Sequence, residues 1–172
     1  PAPLSRPVAF PMATTFNEVA MIDFFFWGKV EVLNIRDAFS KITVLDRIKR
    51  FELKSGEILT PISQSAAIVR SFIKQWIGIF GCPRVILKDP DPRFDAKGLG
   101  DMCENFHITF ISTPSGHHQS FGAIERSNQV IKNCLNEVVN SEDYKNMSTE
   151  DLDVMLTRYL SLGNAEKAKG AL

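Results

Sequence analysis

Residues Val19–Trp27 (VAMIDFFFW) restrict the fold more than any other segment of the chain. Every residue in this run except Asp23 is apolar, and aromatic residues dominate its second half. A short apolar run of this kind is typical of a strand that is buried on both faces. A carboxylate in the middle of such a strand is energetically unfavourable to bury unless it is paired or bound to a cation.

The segments that follow predict an ordered series of strands and helices. Residues 29–37 (KVEVLNIRD) alternate between apolar and polar side chains and predict a second strand after a tight turn at Gly28. A third strand is predicted at 42–48, and residues 49–62 are expected to form a loop or a small hairpin. A helix then begins at Ser63 or Ser65 and ends at Gly81. The remaining predictions are a strand at 84–89, a helix at 97–106, a strand at 107–113, a polar loop at 114–122, and helices at 123–139 and 148–162.

This order predicts an α/β fold with a mixed five-stranded sheet. The first three strands have short connections and are expected to be antiparallel, whereas the last two follow helices and are expected to be parallel. Helices would then cover both faces of the sheet. We expect a Pro-rich linker at 1–14, one domain at 15–165 and an exit segment at 166–172.

Composition narrows the classes of partner. The 20 basic and 20 acidic residues cancel, and this neutrality argues mildly against nucleic-acid binding unless other domains supply positive charge. Three scattered cysteines, expected to pack in the core, indicate a reducing compartment and give no zinc-binding spacing. No apolar stretch is long enough to span a bilayer, so no membrane partner is expected.

Three acids are candidates for a common site. Asp23 lies in the first strand, Asp89 ends the strand RVILKD, and Glu125 begins a helix after the loop SGHHQSFG. Strand ends and helix starts can converge at one sheet edge, where oxygen ligands suit Mg²⁺ or Mn²⁺. Each acid also has a simpler explanation. Asp23 could be satisfied by backbone amides. Asp89 could be a turn or helix cap, and Asp91 could act in its place. Glu125 could be an acid in the first turn of a helix, where the helix dipole favours a negative charge.

Helical spacing divides the residues after Glu125 into two faces. Ile124, Ile131, Leu135 and Val138 cluster on the expected core side. Glu125, Asn128, Gln129 and Lys132 fall on a neighbouring polar face, which is either solvated or in contact with a ligand. Outside this helix, Asp37 is expected to close the turn to Ser40, and His117 and His118 are expected to be solvated or to contact DNA.

Several of these segments resemble the catalytic core of retroviral and retrotransposon integrases. LKDPDPRF and HHQSFGAIER resemble the two motifs that carry the family's second Asp and its Glu, and 35 residues separate Asp89 from Glu125, which is the family's interval. NEVAMIDFFFW and VEVLNIRDAFS resemble its first two strands, and WIGIFGCPRVILKD its helix-to-strand step. The resemblance runs over residues 6–165 and is closest to gypsy-type long-terminal-repeat elements. Asp91 stands where the family usually has Gly, and Phe121 where it has a small or amide residue.

The resemblance implies a ribonuclease H-like fold and two-metal phosphoryl transfer on DNA, namely 3′-end processing and strand transfer. It implies that Asp23, Asp89 and Glu125 are the catalytic residues and hold two Mg²⁺ or Mn²⁺ ions. It implies DNA contacts by Gln119, Ser120, Asn128, Gln129 and Lys132.

The family context also implies element-end and target DNA as partners, a homo-oligomer, and zinc and C-terminal domains of a parent polyprotein outside this sequence. The polyprotein would be made inside the cell, and the protein would act on host DNA in the nucleus. Two alternatives remain: a host-captured, catalytically silent module for DNA binding or assembly, and another nuclease or transposase of the ribonuclease H fold.

Overall fold

The protein contains a mixed five-stranded sheet. The computed structural model describes residues 13–27, 30–48, 61–88, 91, 94, 97–112, 126, 128–133 and 135–137. The strands are β1 (Val19–Trp27), β2 (Val30–Asp37), β3 (Thr43–Arg47), β4 (Val85–Lys88) and β5 (Thr109–Ser112). Their spatial order is β3-β2-β1-β4-β5.

Strand direction follows the lengths of the connections. β1 pairs with β2 and β2 with β3 in antiparallel fashion, while β4 runs parallel to both β1 and β5. The predicted three antiparallel and two parallel strands are therefore confirmed, and the predicted strand bounds are correct to within two residues at most ends. The fold is that of the ribonuclease H-like class.

Helices lie between the later strands. Helix α1 (Pro61–Phe72) continues through a π-helical turn at Ile73–Ile77 into α2 (Gly78–Phe80), and α3 (Lys97–Asn105) precedes β5. The start of α1 was predicted two to four residues too late, because Pro61 was assigned to the preceding loop. Proline is well tolerated at the first position of a helix, where its missing N–H has no partner to lose.

The π-helical turn was not predicted. The Gly78 N–H donates to Ile73 O, five residues back, and a Cβ at Gly78 would lie 3.3 Å from that oxygen. Trp76 inside this turn is fully buried, and its ring packs against that of Phe80 in a tilted arrangement. The extra residue in the turn thus accompanies an inward-facing Trp76.

Alternation along β1 separates two packing layers. Ala20, Ile22 and Phe24 face a core that α1, the π-helical turn and α3 cover with Ile68, Phe72, Trp76, Leu99, Met102 and Cys103. Val19 and Met21 face the opposite side, where they pack with Val85 and Leu87 of β4. Because strand residues alternate between faces, Asp23 belongs to this second side.

A polar junction ties the start of β1 to its neighbours. Asn17 adopts a positive φ of 64°, which asparagine tolerates better than most residues. Its side chain accepts a hydrogen bond from Trp76 Nε1 (2.9 Å) and donates to Phe80 O (3.1 Å) and Gly81 O (3.2 Å). Its backbone N–H donates to Asp37 Oδ1 (2.8 Å). One asparagine therefore links β1, β2 and the helix end.

The predicted role of Asp37 is confirmed. Its carboxylate is fully buried, and Oδ2 accepts a 2.6 Å hydrogen bond from Ser40 N, which closes the turn between β2 and β3. The prediction that all cysteines pack in the core is wrong for Cys82, which is exposed. Cys103 is buried, and this burial raises the pKa of its thiol to about 11.

Other predictions fall on residues that the structure does not describe. These are Cys134, the loop at 49–60, the polar loop at 114–122 with His117, His118 and Phe121, the helix at 148–162 and the exit segment at 166–172. Only residues 13 and 14 of the predicted linker are described. In the part of the chain that is described, no helix is long and apolar enough to cross a bilayer.

The Asp37 junction predicts a specific loss of stability. Asp37→Ala leaves the buried N–H of Ser40 and the partly buried N–H of Asn17 without their carboxylate acceptor, and we expect the free energy of unfolding to fall by about 3 kcal/mol. Urea denaturation measures the change. Asp101→Ala, an exposed position on α3, is the matched control and should cost less than about 0.5 kcal/mol. Equal effects of the two substitutions would contradict the assigned role.

Candidate active site

Asp23 stands at the centre of the candidate site. It is the fifth residue of β1 and lies directly opposite Asn34 of β2 in the antiparallel register. Asp23 is half-buried, whereas its neighbours Ile22 and Phe24 are buried in the core on the other face. The sheet thus presents one carboxylate and one amide side by side on the face away from α1.

Both carboxylate oxygens of Asp23 accept hydrogen bonds. Oδ1 accepts a hydrogen bond of 2.8 Å from the N–H of Phe24, and Oδ2 accepts a hydrogen bond of 2.8 Å from Asn128 Nδ2. Asn128 Oδ1 in turn accepts a hydrogen bond of 2.5 Å from Asn34 Nδ2. The alternative that backbone amides satisfy the Asp23 carboxylate is therefore partly correct, because one of these two donors is a backbone N–H. The other donor comes from a residue 105 positions away in the sequence.

Asn128 belongs to a helical stretch that covers this face of the sheet. The described residues 126, 128–133 and 135–137 are helical, and we call them the 126–137 segment. Ile131 and Leu135 are buried, as the helical spacing predicted. Asn128 was predicted to lie on a polar face that is either solvated or in contact with a ligand. The solvated alternative is wrong for Asn128, because its amide packs against Asp23 and Asn34 and only 6% of its surface is exposed.

The other polar residues of this segment are more accessible. Gln129 is exposed, and its Nε2 donates to Asn133 Oδ1 one helical turn later (2.9 Å). Lys132 is half-buried, with its Nζ 5.5 Å from the centroid of the Phe25 ring. Phe25 lies two residues after Asp23 on the same face of β1, so Lys132 brings a positive charge to the side of the sheet that carries Asp23.

Two arginines add positive charge to this side. Arg36 lies two residues from Asn34 on β2 and is half-buried, and Arg126 is exposed on the 126–137 segment. Burial, and secondarily the nearby Arg126 guanidinium, lowers the pKa of Arg36 below its ordinary value. The two guanidinium groups therefore lie close enough on this side of the sheet for their charges to interact.

The parallel partner of β1 approaches the site at its C-terminal end. Ile22 pairs with Lys88, the last residue of β4. Lys88 is buried, and its Nζ lies 5.2 Å from the centroid of the Phe110 ring. Asp89, the next residue in the sequence, lies outside the described residues.

The structure describes three of the predicted DNA-contacting residues and one of the three predicted catalytic acids. Glu125, Gln119 and Ser120 lie, like Asp89, outside the described residues. Asp91 is half-buried. Within the described residues no three His, Cys, Asp or Glu side chains form a group that could hold a metal ion.

Sequence reasoning missed Asn34. The alternation of VEVLNIRD predicted which residues share a face but gave no reason to single out this amide. A signal was nevertheless present, because the tight turn predicted at Gly28 would pair Trp27 with Val30, and that register, which the sheet has, sets Asn34 opposite Asp23.

Solved structures that resemble this chain include retroviral integrase catalytic cores. The chain superposes on the HTLV-2 integrase catalytic core domain in complex with magnesium in its trimeric form (TM-score 0.60, 22% identity, 86% of this chain and 84% of that chain). It also superposes on the catalytic core domain of BIV integrase (TM-score 0.59, 17% identity, 84% of this chain and 81% of that chain). A third neighbour is the simian T-cell lymphotropic virus intasome in complex with a PP2A regulatory subunit (TM-score 0.60, 15% identity, 84% of this chain and 48% of that chain).

Similarity in sequence is more limited. The chain is 30% identical to the Gag-Pro-Pol polyprotein of squirrel monkey retrovirus over 89 residues, which is 51% of this chain and 5% of that polyprotein. No protein-family model matches the chain. The chain therefore shares the fold of retroviral integrase catalytic cores.

The contact between Asn128 and Asp23 predicts that a negative charge introduced at position 128 destabilises the fold more than one at the neighbouring position 129. Asn128→Asp sets a second carboxylate against Asp23 Oδ2 at a buried position, and we expect the free energy of unfolding at neutral pH to fall by about 3 kcal/mol. Gln129→Glu makes the same chemical change one residue later on an exposed position and should cost less than about 0.5 kcal/mol. Urea denaturation compares the two variants, and similar losses would show that Asn128 does not face Asp23.

Proposed function

We propose that this protein is an integrase catalytic core that performs two-metal phosphoryl transfer on DNA, with Asp23, Asp89 and Glu125 as its catalytic acids. The observation that carries the proposal is the hydrogen bond from Asn128 to Asp23. It joins the helical stretch that follows Glu125 to the strand that carries the first acid. The integrase fold of the chain supports the same reading.

The sheet register supports the inclusion of Asp89. Ile22 and Lys88 are partners in the parallel ladder, and each immediately precedes one of the two aspartates in the sequence. Continuation of this register by one residue would set Asp89 beside Asp23. The register gives Asp91 no such position, so we propose Asp89 rather than Asp91 as the second acid.

Helical spacing supports Glu125. It precedes Asn128 by three positions, and residues three apart lie on the same side of an α-helix. If the helix extends back by one residue from Arg126, Glu125 lies on the side that approaches Asp23. A position beside Asp23 would account for an acid at this point of the chain better than a favourable interaction with the helix dipole alone.

The donor set fits a hard divalent cation. All three proposed ligands are carboxylates, which suit Mg²⁺ or Mn²⁺, and two hydrogen bonds hold the Asp23 carboxylate in a fixed orientation. Two such ions, when bound, would activate the attacking oxygen and stabilise the leaving oxygen. One of the structural neighbours is a magnesium complex, which supports the choice of metal.

The DNA would lie against the positively charged side of the 126–137 segment. Lys132, Arg126 and Arg36 supply cationic groups there, and Gln129 is exposed on the same segment. We propose that these residues contact the phosphate backbone, together with Gln119 and Ser120. Asn128 remains a predicted DNA contact, although in this structure its amide is occupied by Asp23 and Asn34.

The biological setting belongs to the same proposal. The neighbours include an intasome and trimeric and dimeric forms of a catalytic core, which supports a homo-oligomer that joins element ends to target DNA. We propose that the chain is part of a polyprotein with zinc and C-terminal domains, and that it acts on nuclear DNA. Its origin in a gypsy-type element remains a prediction, because the relatives found are retroviral.

The role of Glu125 is testable by a minimal change. Glu125→Gln keeps the shape of the side chain but removes a charged metal ligand, and we expect Mg²⁺-dependent strand transfer to fall by at least about a hundredfold. DNA binding should largely survive. Glu137→Gln, an exposed position in the same segment, is the matched control and should retain activity. Full activity of Glu125→Gln would rule out the proposed triad, and an inactive parent chain would favour the silent module.

The role of Lys132 is testable through the dependence of DNA binding on salt. Lys132→Glu removes one phosphate contact and adds a repulsive charge, so the salt slope of DNA binding should decrease by about one unit or more. Lys74→Glu, an exposed position on the α1 side of the sheet, makes the same charge change and should leave the slope within experimental error. An unchanged slope for Lys132→Glu would mean that this surface is merely solvated.

A further inference from the structure

Asn34 is a fully buried amide in the middle of a sheet. Its exposed fraction is 0%, and its cross-strand neighbours are Asp23 on β1 and Leu45 on β3. Its Nδ2 donates to Asn128 Oδ1, but its Oδ1 is buried without a hydrogen-bond partner within the described part of the chain. Such an acceptor is unfavourable, and an apolar side chain of the same shape would avoid the penalty.

The direction of the hydrogen bonds from Asn34 to Asn128 and from Asn128 to Asp23 follows from the charge of the Asp23 carboxylate. An ionised carboxylate can only accept hydrogen bonds, so Asp23 Oδ2 requires the Nδ2 end of Asn128. Asn128 must then turn its Oδ1 toward β2, where Asn34 meets it with a donor. Asn34 consequently turns its own Oδ1 into a site without a donor. The acceptor left over at Asn34 is the consequence of presenting a donor to Asp23.

We propose that Asn34 is a positioning residue of the candidate metal site. By holding Asn128 Oδ1, it fixes the amide plane of Asn128, and Asn128 in turn fixes the orientation of the Asp23 carboxylate toward a divalent cation. Residues that hold metal ligands through hydrogen bonds commonly affect metal affinity strongly, although they do not touch the ion. This role rests on the proposed function, since it presupposes that Asp23 is a metal ligand.

The geometry excludes a direct role for Asn34. Asn128 lies between Asn34 and Asp23 in the hydrogen-bond chain, and Asn34 has no exposed surface through which to meet DNA. Any effect of Asn34 on metal binding therefore passes through Asn128. This dependence gives the inference a test that a purely structural role would not satisfy.

The experiment measures Mn²⁺ affinity of the 172-residue chain without DNA, by water-proton relaxation enhancement. The principal variant is Asn34→Leu, which keeps the branched shape of the side chain and removes its donor. Asn34→Ala removes the donor without adding volume, so that an effect of overpacking is recognised. Ile35→Val, a buried neighbour on the opposite face of β2, is the control for general loosening of the strand. Urea unfolding of each variant is measured alongside.

We expect Asn34→Leu and Asn34→Ala to weaken Mn²⁺ binding about tenfold, whereas Ile35→Val leaves it unchanged. Asn34→Leu should shift the urea midpoint little, because it removes one unpartnered acceptor while leaving another on Asn128. The double variant Asn34→Leu/Asn128→Leu should bind Mn²⁺ no more weakly than Asn128→Leu alone.

Two results would overturn the inference alone. The first is Mn²⁺ binding by both Asn34 variants within twofold of the parent chain. The second is a double variant in which the two losses multiply, since independent effects mean that Asn34 does not act through Asn128. Failure of the parent chain itself to bind Mn²⁺ would instead overturn the proposed function, and this inference with it.

Discussion

The burial of a carboxylate in an otherwise apolar strand determines the organisation on one side of the sheet. Asp23 has apolar neighbours on both sides in the sequence, and its charge requires hydrogen-bond donors, of which the strand supplies the Phe24 N–H. Another donor comes from Asn128, and the covering helix is therefore held in one position relative to β1 by a polar contact as well as by Ile131 and Leu135. Packing alone would leave the rotation of that helix less well determined.

The sheet keeps this polar contact separate from the main core. Ile22 and Phe24 point toward α1 and α3, and Asp23 points the opposite way, because side chains alternate along a strand. A slip of one residue in the pairing of β1 would bury the carboxylate among Phe72, Trp76 and Leu99. The apolar residues on one face and the acid on the other thus specify the same register, so the stability of the fold and the geometry of the candidate site depend on one pairing.

The sequence allowed the prediction of this framework because its signals are local. Apolar runs, the turn predicted at Gly28 and the lengths of the connections are sufficient to predict the strand directions that the sheet has. The π-helical turn and the burial of Asn128 were not predictable in the same way. Helical spacing assigns a residue to a face but does not reveal what packs there, and Asn128 is buried because a carboxylate and an amide from two strands meet it. For the candidate site, the sequence pointed to Asp23 but not to Asn34, whose proposed positioning role depends on a hydrogen bond to a residue 94 positions away in the sequence.

The zero net charge of the chain is compatible with a DNA partner once the charges are considered by location. A phosphate responds to charges within a Debye length, about 10 Å at moderate salt, rather than to the sum over the molecule. Arg36 and Arg126 are close enough for their charges to repel each other, and Lys132 lies over Phe25 on the same side of the sheet. Repulsion between the two guanidinium groups is unfavourable, and an anion bound beside them would reduce it. Neutral composition limits non-specific attraction to DNA, so the DNA binding proposed above would depend on the few cations on the Asp23 side of the sheet.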